Sequence, residues 1–566
     1  MSQNAVRDLL EDALRALGIE DVEVHLERPK DPSHGDLATN VAMHLAARLK
    51  RSPRSIAEDI AGRIPTGVSG VDAVEVAGPG FLNFRISTQA VADALDQILE
   101  MDESFGASGE GGGEPVLVEF VSANPTGLLH LGHGRQAALG DAISSLLEFC
   151  GWAVQREFYY NDAGRQIERL AESLHARYQQ HFGREAEVTE DGYQGEIVAR
   201  LASELAETDG ERWLGAPTQG ALDRMGRFAV GRLREEQDRD LVRFGVHFDE
   251  YYLESSLYDD GRVESTLEAL RESGVVYDKD GAVWLRSSQF GDQKDRVMIK
   301  SDGSATYFLP DVAYHVTKWE RGFRRAINVQ GADHHGTMAR VRAGLRALGL
   351  PEGYPEYVLH QMVTVERGGR EVKFSKRSGE YVTLRDLMEE VGVDVTRYFF
   401  LMRKADAHLV FDLDQALDQS DKNPVYKAKY AHARMCSIFR KAGLAQEEVT
   451  AGSAKLGLLR HGGERELIQQ LAEFPEVVSR AAALRAPHLI CEYLERTAGQ
   501  VNSWYHAGNP TRTPELAVLV EDPDLRSARL ALTRSSRIVL RNALGLLGLE
   551  APERMEKRSD LEPDEN

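Results

Sequence analysis

The sequence predicts a multidomain α/β protein: a parallel-sheet α/β domain carrying a helical insertion, an α+β domain before it and an all-α domain after it. Three observations lead there. The chain has 566 residues, 42% of them hydrophobic, which suits three or four domains of roughly 100–200 residues each. Near residue 116 a valine-rich run reads as a buried strand, followed by a tight turn and a helical pattern. Beyond about residue 415 the pattern is helical, with only weak strand signals.

Residues 1 to about 105 mix helix with short strands such as 81–86. Val6, Leu9, Leu10, Ala13, Leu14 and Leu17 recur at helical spacing, so the start reads as an amphipathic helix; a secretion signal would need a basic start and an unbroken apolar core. The glycine-rich run 105–115 is expected to bury nothing, stay flexible and mark a domain boundary. Residues 116–121 open the α/β domain, and Leu139, Ile143, Leu146 and Leu147 line one face of the helix that follows. Strand, phosphate-type loop and helix make the first unit of a Rossmann-type fold. Further buried-strand candidates are 153–160, 326–329 and 357–363, and the charged, helix-patterned stretch of about 165–245 reads as an insertion between them. The expected domains are therefore 1–105, 106–415 and 416–566, with a polar, frayed tail from 556 and no internal repeats.

Composition narrows the function classes. Charged residues make up 28% of the chain, and no stretch reaches the ~18 uninterrupted apolar residues of a membrane span, so a cytoplasmic protein is expected. Cys150, Cys436 and Cys491 lie far apart and form no C-x-x-C or Cys/His spacing. They read as buried thiols in a reducing compartment, and no bound metal is expected. The formal net charge of -22 argues against a general nucleic-acid binder, yet it allows a large protein with one basic groove.

Two motifs carry chemistry. Val121-Ser-Ala-Asn-Pro-Thr-Gly-Leu-Leu-His-Leu-Gly-His-Gly134 lies between the first strand and its helix. Ligands of open parallel sheets bind at the carboxyl ends of strands, where helix N-termini offer N–H groups to phosphate. There His130 and His133 would stabilise charge growing at the α-phosphorus of a triphosphate, and Gly132 would let a flat adenine approach the backbone. H-x-G-H alone fits two helix-start histidines equally well; the S-x-N-P-T-G ahead of it favours the catalytic reading. The second motif, Lys373-Phe-Ser-Lys-Arg-Ser-Gly379, follows Gly368-Gly369, a hairpin-turn signal. Two lysines around a serine can clamp a leaving pyrophosphate. A solvated basic loop is the ordinary fate of so short a run, but this one falls in the same expected domain as the histidines.

H-x-G-H paired with K-x-S-K resembles the signatures of class I aminoacyl-tRNA synthetases, and the surroundings narrow the resemblance to the arginine-specific family. Residues 118–127, 158–166, 331–336 and 423–434 are similar to that family's segments, and 32–40 and 78–83 to its extra N-terminal domain. The resemblance runs from about residue 20 to Met555. It implies an enzyme that activates arginine with Mg·ATP, passes it from arginyl-adenylate to the 3′-terminal ribose of its tRNA, and is usually a monomer. It also implies an N-terminal domain at the tRNA elbow and an anticodon-binding helical domain.

Carried over residue by residue, the resemblance implies that His130, His133, Lys373 and Lys376 are catalytic, with Lys376 the family's catalytic lysine. Pro125, Gly127, Gly132, Phe374 and Ser375 would join His130, His133 and Lys376 around ATP. The family's loop reads K-M-S-K-S; Phe374 and Arg377 depart from it, and both lysines remain. Tyr307, Asp311 and Glu254 match positions that hold the guanidinium, a planar fork of donors that wants carboxylates in its plane. Ser122, Asn124 and His334 match positions near the α-amino and carboxylate groups, with Glu119 at that end and His335 and Gln330 as weaker matches. For tRNA the candidates are Asn83 and, on one helix with Lys427, the residues Tyr426, Lys429, His432 and Arg434. Tyr426 and Tyr430 could stack on bases or pack into the bundle, and their spacing favours packing.

Two other readings stay open on the residues alone. Another H-x-G-H nucleotidylyltransferase would ordinarily be much shorter and lack the helical C-terminal part. A catalytically dead relative that only binds tRNA or protein would have no need of His130, His133, Lys373 and Lys376.

Overall fold

The computed structural model describes residues 3–555 except 28, 30, 32, 33, 68, 69, 163, 373–381, 509 and 510. Near the N-terminus, β1 (Leu37–Thr39), β2 (Val71–Ala77) and β3 (Phe81–Ile86) form an antiparallel sheet in the order β1-β3-β2. Four helices accompany it. The first, Gln3–Ala16, buries Val6, Leu10, Ala13 and Leu14, the stripe its spacing predicts.

The glycine-rich run is not the flexible spacer expected from its composition. Its backbone bonds to the turn at residues 149–151, with Ser108 N donating to the Phe149 carbonyl and Gly111 N to that of Cys150. A Cβ at Gly111 would lie 2.4 Å from the Trp152 nitrogen, and one at Gly106 would lie 2.7 Å from the Phe474 ring. Gly106 and Gly111 serve close approach, while Gly112 and Gly113 take positive φ with open space around them, uses that composition does not separate from flexibility.

The central sheet is parallel throughout. Its strands are β4 (Pro115–Glu119), β5 (Ala153–Tyr160) and β6 (Glu250–Leu253), then, after an antiparallel sheet of β7 (Val276–Lys279), β8 (Ala282–Leu285) and β9 (Arg296–Ile299), β10 (Arg325–Gly331) and β11 (Glu356–His360). The spatial order is β11-β10-β4-β5-β6. The chain runs outward from β4 through β5 to β6, then returns to lay β10 on the other side of β4. This reversal puts a switch point between β4 and β10, where a crevice opens at the strands' carboxyl ends. Val116, Leu117 and Val118 are fully buried, as a strand covered on both faces requires.

Between β5 and β6 the helices Arg165–His181, Glu196–Asp209 and Gln219–Arg243 form a bundle with its own core of Leu170, Leu174, Leu201, Leu205, Met225 and Leu233. A small sheet of β12 (Val363–Arg367), β13 (Arg370–Glu371) and β14 (Leu409–Asp412) follows the main one. Helices dominate after it, the longest being Pro523–Leu546. One apolar cluster runs from Val6 through Phe120 and Phe400 to Leu547, so the N-terminal, sheet-bearing and C-terminal parts share a continuous core. Cys150, Cys436 and Cys491 are buried and unbridged. Among the described residues no helix is long and apolar enough to cross a membrane.

Candidate functional site

β4 ends at Glu119, and the chain turns sharply. Val121 and Ser122 have φ of 69° and 40°, a left-handed conformation that is costly for any residue and most of all for β-branched valine. Local bonds hold it: Ser122 Oγ donates to Glu119 Oε1 at 2.9 Å and accepts from Tyr159 N at 3.2 Å. Ser122 is thereby fixed at the crevice.

Glu119 anchors a buried network. Its register partner on β10 is Asn328, whose Nδ2 donates to Glu119 Oε2 at 2.9 Å. Lys318 Nζ lies 2.5 Å from the same oxygen and 3.1 Å from Asn328 Oδ1. The Asp311 carbonyl must accept, so His315 Nδ1 carries the proton in their 2.7 Å contact, leaving Nε2 to accept from Asn328 Nδ2 at 3.0 Å. Burial, with Lys318 nearby, keeps that imidazole neutral. Glu119 is thus neutralised and orients its neighbours.

The network walls a cavity of about 410 Å³. Glu254 and Asp311 face into it, with Tyr159 OH donating to Glu254 Oε2 at 3.0 Å. Burial raises the Glu254 carboxyl above its usual range. Burial, then Glu254 and Glu119, pushes Asp311 up to about 7, and Arg340 opposes the shift. Two carboxylates short of cations suit a cationic occupant. Asn124, Gln330 and His334 also line this cavity, while Tyr307 sits at its mouth, 65% exposed.

A second cavity, of about 480 Å³, meets the first at Asn124. Thr126, Gly127, His130 and His133 form one wall and Gly192–Val198 of the insertion the other. His130 caps the helix Leu131–Phe149: its Nδ1 accepts from the backbone of Gly132 at 3.0 Å and of His133 at 3.3 Å, and His133 Nδ1 accepts from His130 N at 3.4 Å. Backbone N–H groups can only donate, so both protons sit on Nε2. The rings stack with centroids 3.6 Å apart. Burial, His130 and His360 depress His133 to about 3, and burial lowers His130 as well. These are neutral N–H donors rather than imidazolium cations. Gly132 serves a purpose the sequence does not reveal: a Cβ there would meet the His130 ring at 2.8 Å, so the close approach it permits is that of its neighbour's imidazole. Pro125 is buried behind the turn.

Lys373, Phe374, Ser375, Lys376 and Arg377 lie outside the described residues. The flanks are defined. Gly368 and Gly369, both at positive φ, turn β12 into β13, forming the hairpin their sequence suggests. On the far side Thr383 pairs with His130, and Leu384 N donates to the Leu129 carbonyl at 2.9 Å.

The tRNA candidates divide. Tyr426 and Tyr430 stack on each other at 5.8 Å, and Arg434 lies 4.6 Å from both the Tyr430 and Tyr505 rings, all half-buried along one surface. Lys429 pairs with Asp394. His432 is 1% exposed and bonded to the Pro552 carbonyl, which takes it out of direct contact with a polyanion. Asn83 is buried in β3. Helical spacing put Tyr426, Lys429, Tyr430, His432 and Arg434 on one element without showing which face the bundle covers.

Lys318, Asn328, His315 and Tyr159 belong to the site without having stood out in the sequence. Only Tyr159, inside the 158–166 segment, had a usable signal; strand pairing and helix packing bring the others in. Among the described residues no cluster of three or more His, Cys, Asp or Glu is placed to hold a metal ion.

Three family models match successive parts of the chain. Residues 4–86 match the arginyl tRNA synthetase N-terminal domain, 94–410 the catalytic domain of class I (R) tRNA synthetases and 428–555 the DALR anticodon binding domain. The chain is 50% identical over 555 residues to the arginine–tRNA ligase of Thiobacillus denitrificans, covering 97% of this chain and 98% of that one. It is 51% identical over 538 residues to that of Geotalea daltonii, covering 94% of each. The Thermus thermophilus arginyl-tRNA synthetase structure superposes with a TM-score of 0.76 at 26% identity, over 98% of this chain and 100% of that one.

Proposed function

The chain belongs to the arginine–tRNA ligase family of class I synthetases, and from that premise we propose how its residues divide the work. The protein is an arginine–tRNA ligase that uses ATP to charge tRNA with arginine. The observation that carries the assignment of roles is the pair of cavities meeting at Asn124, one lined by carboxylates and the other by neutral imidazole donors.

Arginine enters the first cavity with its guanidinium against Asp311 and Glu254 and the Tyr307 hydroxyl at the rim. Its α-amino and carboxylate groups lie toward Glu119, Ser122, Asn124 and His334. ATP lies along residues 125–133, with Mg²⁺ arriving as the counter-ion of its phosphates. The arginine carboxylate attacks the α-phosphorus and pyrophosphate leaves; the terminal ribose hydroxyl of tRNA then attacks the mixed anhydride. Positioning carries much of the rate, and no protein nucleophile is needed. His130 and His133 donate Nε2–H bonds to the growing phosphate charge, and Lys373 and Lys376 meet the leaving pyrophosphate. Residues 1–105 bind the tRNA elbow, and the surface of Tyr426, Tyr430 and Arg434 meets anticodon bases. A monomer in the cytoplasm completes the reading.

The test is pyrophosphate exchange and aminoacylation with each amino acid in turn. Exchange is expected with arginine when tRNA is present and is expected to be negligible without tRNA, because bound tRNA completes the site. Exchange with another amino acid in preference to arginine would overturn the pocket assignment.

A further inference from the structure

The helix Gln219–Arg243 is the longest of the insertion, and its two halves lie in different cores. Met225, Ala229 and Leu233 pack inside the insertion bundle, whereas Leu241 belongs to the main core. On the second half one buried polar face presents Glu236, Gln237 and Asp240, which are 7%, 1% and 2% exposed. Gln237 Nε2 donates to the Asn124 carbonyl at 3.0 Å and to the Gly127 carbonyl at 2.9 Å, bracketing the turn that leads to the histidines. One turn on, Asp240 Oδ1 accepts from Arg385 Nε at 2.7 Å, while Glu236 Oε2 accepts from the other arm of the same guanidinium at 2.7 Å. Arg385 follows directly on Thr383 and Leu384, which pair with His130 and Leu129. The contacts close a ring, from Asn124–Gly127 to Gln237, along the helix to Asp240, across to Arg385 and back to residues 129–130.

Resting on the adenylation chemistry proposed above, we infer that Gln237, Asp240 and Arg385 are positioning residues for His130 and His133, and that this helix couples the insertion bundle mechanically to the histidines. None of the three lines either cavity. Their effect runs through the backbone of residues 124–130, which carries His130 and leads into the helix that carries His133. A loop held by two bonds from one amide shifts when those bonds are lost, and sub-ångström shifts of preorganised donors reach the transition state before they reach ground-state binding.

The test uses the full-length protein with arginine, ATP and tRNA. It follows adenylate formation by pyrophosphate exchange and, in single turnovers, transfer from preformed arginyl-adenylate. Gln237→Leu keeps the volume and removes both bonds. Its kcat for adenylate formation should fall by about tenfold or more, with arginine KM within about twofold and the transfer rate unchanged. Arg385→Met should behave alike, and Arg385→Lys, which keeps the charge without the fork, should recover part of the loss. Arg232→Ala, on the same helix where Arg232 pairs with Glu204 and Glu235, should change nothing. Wild-type kcat in Gln237→Leu overturns the inference, as does a loss spread equally over kcat, KM and transfer. If Gln237→Leu does not fold, the two Arg385 variants decide, and equal kcat in both overturns it. Absence of arginine-dependent exchange in the unmodified protein would overturn the underlying reading, and the brace with it.

Discussion

Thr383 pairs with His130 across an antiparallel bridge, which ties the end of one signature segment to the start of the other although the two residues are far apart in the chain. The described flanks of this signature are thus β13 on one side and, through Thr383, the histidine turn on the other. On the proposed reading, Lys373 and Lys376, which fall between those flanks, are the cations that would meet charge on a departing pyrophosphate.

Lys376 is accordingly expected to act on adenylation alone. Lys376→Ala should slow adenylate formation more than Lys373→Ala does, and transfer from preformed adenylate should stay near wild type. Single-turnover kinetics that show both steps slowed equally would assign the segment to tRNA positioning instead.

The histidines have two separable jobs, capping a helix and donating to phosphate. Asparagine is among the best caps but offers no counterpart to Nε2–H. His130→Asn should therefore keep its melting temperature within a few degrees while losing adenylation rate. His133→Ala should lose roughly 10²-fold in kcat, about 2.7 kcal/mol, with little change in ATP KM. Because burial, His130 and His360 hold His133 at about 3, its protonation should contribute no pH dependence between pH 6 and 8. A rate that rises on acidification through that range and loses the rise in His133→Ala would contradict the neutral-donor role.

If Asp311 holds the guanidinium as proposed, arginine binding should be pH-dependent. In the empty cavity its carboxyl sits at about 7, and a guanidinium beside it favours the ionised form. The bound-state value must lie lower, so binding expels a proton. Arginine affinity is full above about pH 7 and falls as pH drops through it, by up to tenfold per unit. Asp311→Asn should raise arginine KM strongly, leave ATP KM nearly unchanged and flatten this profile. Glu254→Gln should act in the same direction and more mildly. Steady-state aminoacylation across arginine concentrations at several pH values checks all three, and an unchanged KM in Asp311→Asn would move the guanidinium elsewhere.

Lys318 is fully buried against Glu119. Lys318→Met should cost about 3–5 kcal/mol in denaturant unfolding, because a buried carboxylate loses its counter-charge. Adding Glu119→Gln should restore much of that stability without restoring arginine KM, since Glu119 also orients Ser122 and Asn328. If the double variant were as unstable as the single one, the ion pair would not be the origin of the loss.

The sequence by itself determined the α/β class, the parallel strands around β4, the helical insertion and the helical C-terminal part. Those features are local: valine-rich runs, helical spacing and glycine turns act within a few residues, so they survive in one dimension. The shared apolar core and the true use of the glycine run were not legible. A glycine run whose Gly111 is pressed against Trp152 and one that floats in solvent have the same composition. Nor was the Glu119–Lys318–Asn328–His315 network, whose members lie on β4, β10 and the helix Phe308–Glu320. It exists because the sheet order sets β10 beside β4 in one register, and a single slip would send Asn328 to the opposite face. The same holds for His432, whose helix was evident while the face covered by Pro552 was not. Burial, tautomer and pKa are set by what the fold brings alongside a residue, which is why only the tertiary structure shows burial pushing the His133 imidazole down to about 3 and lifting the Asp311 carboxyl to about 7.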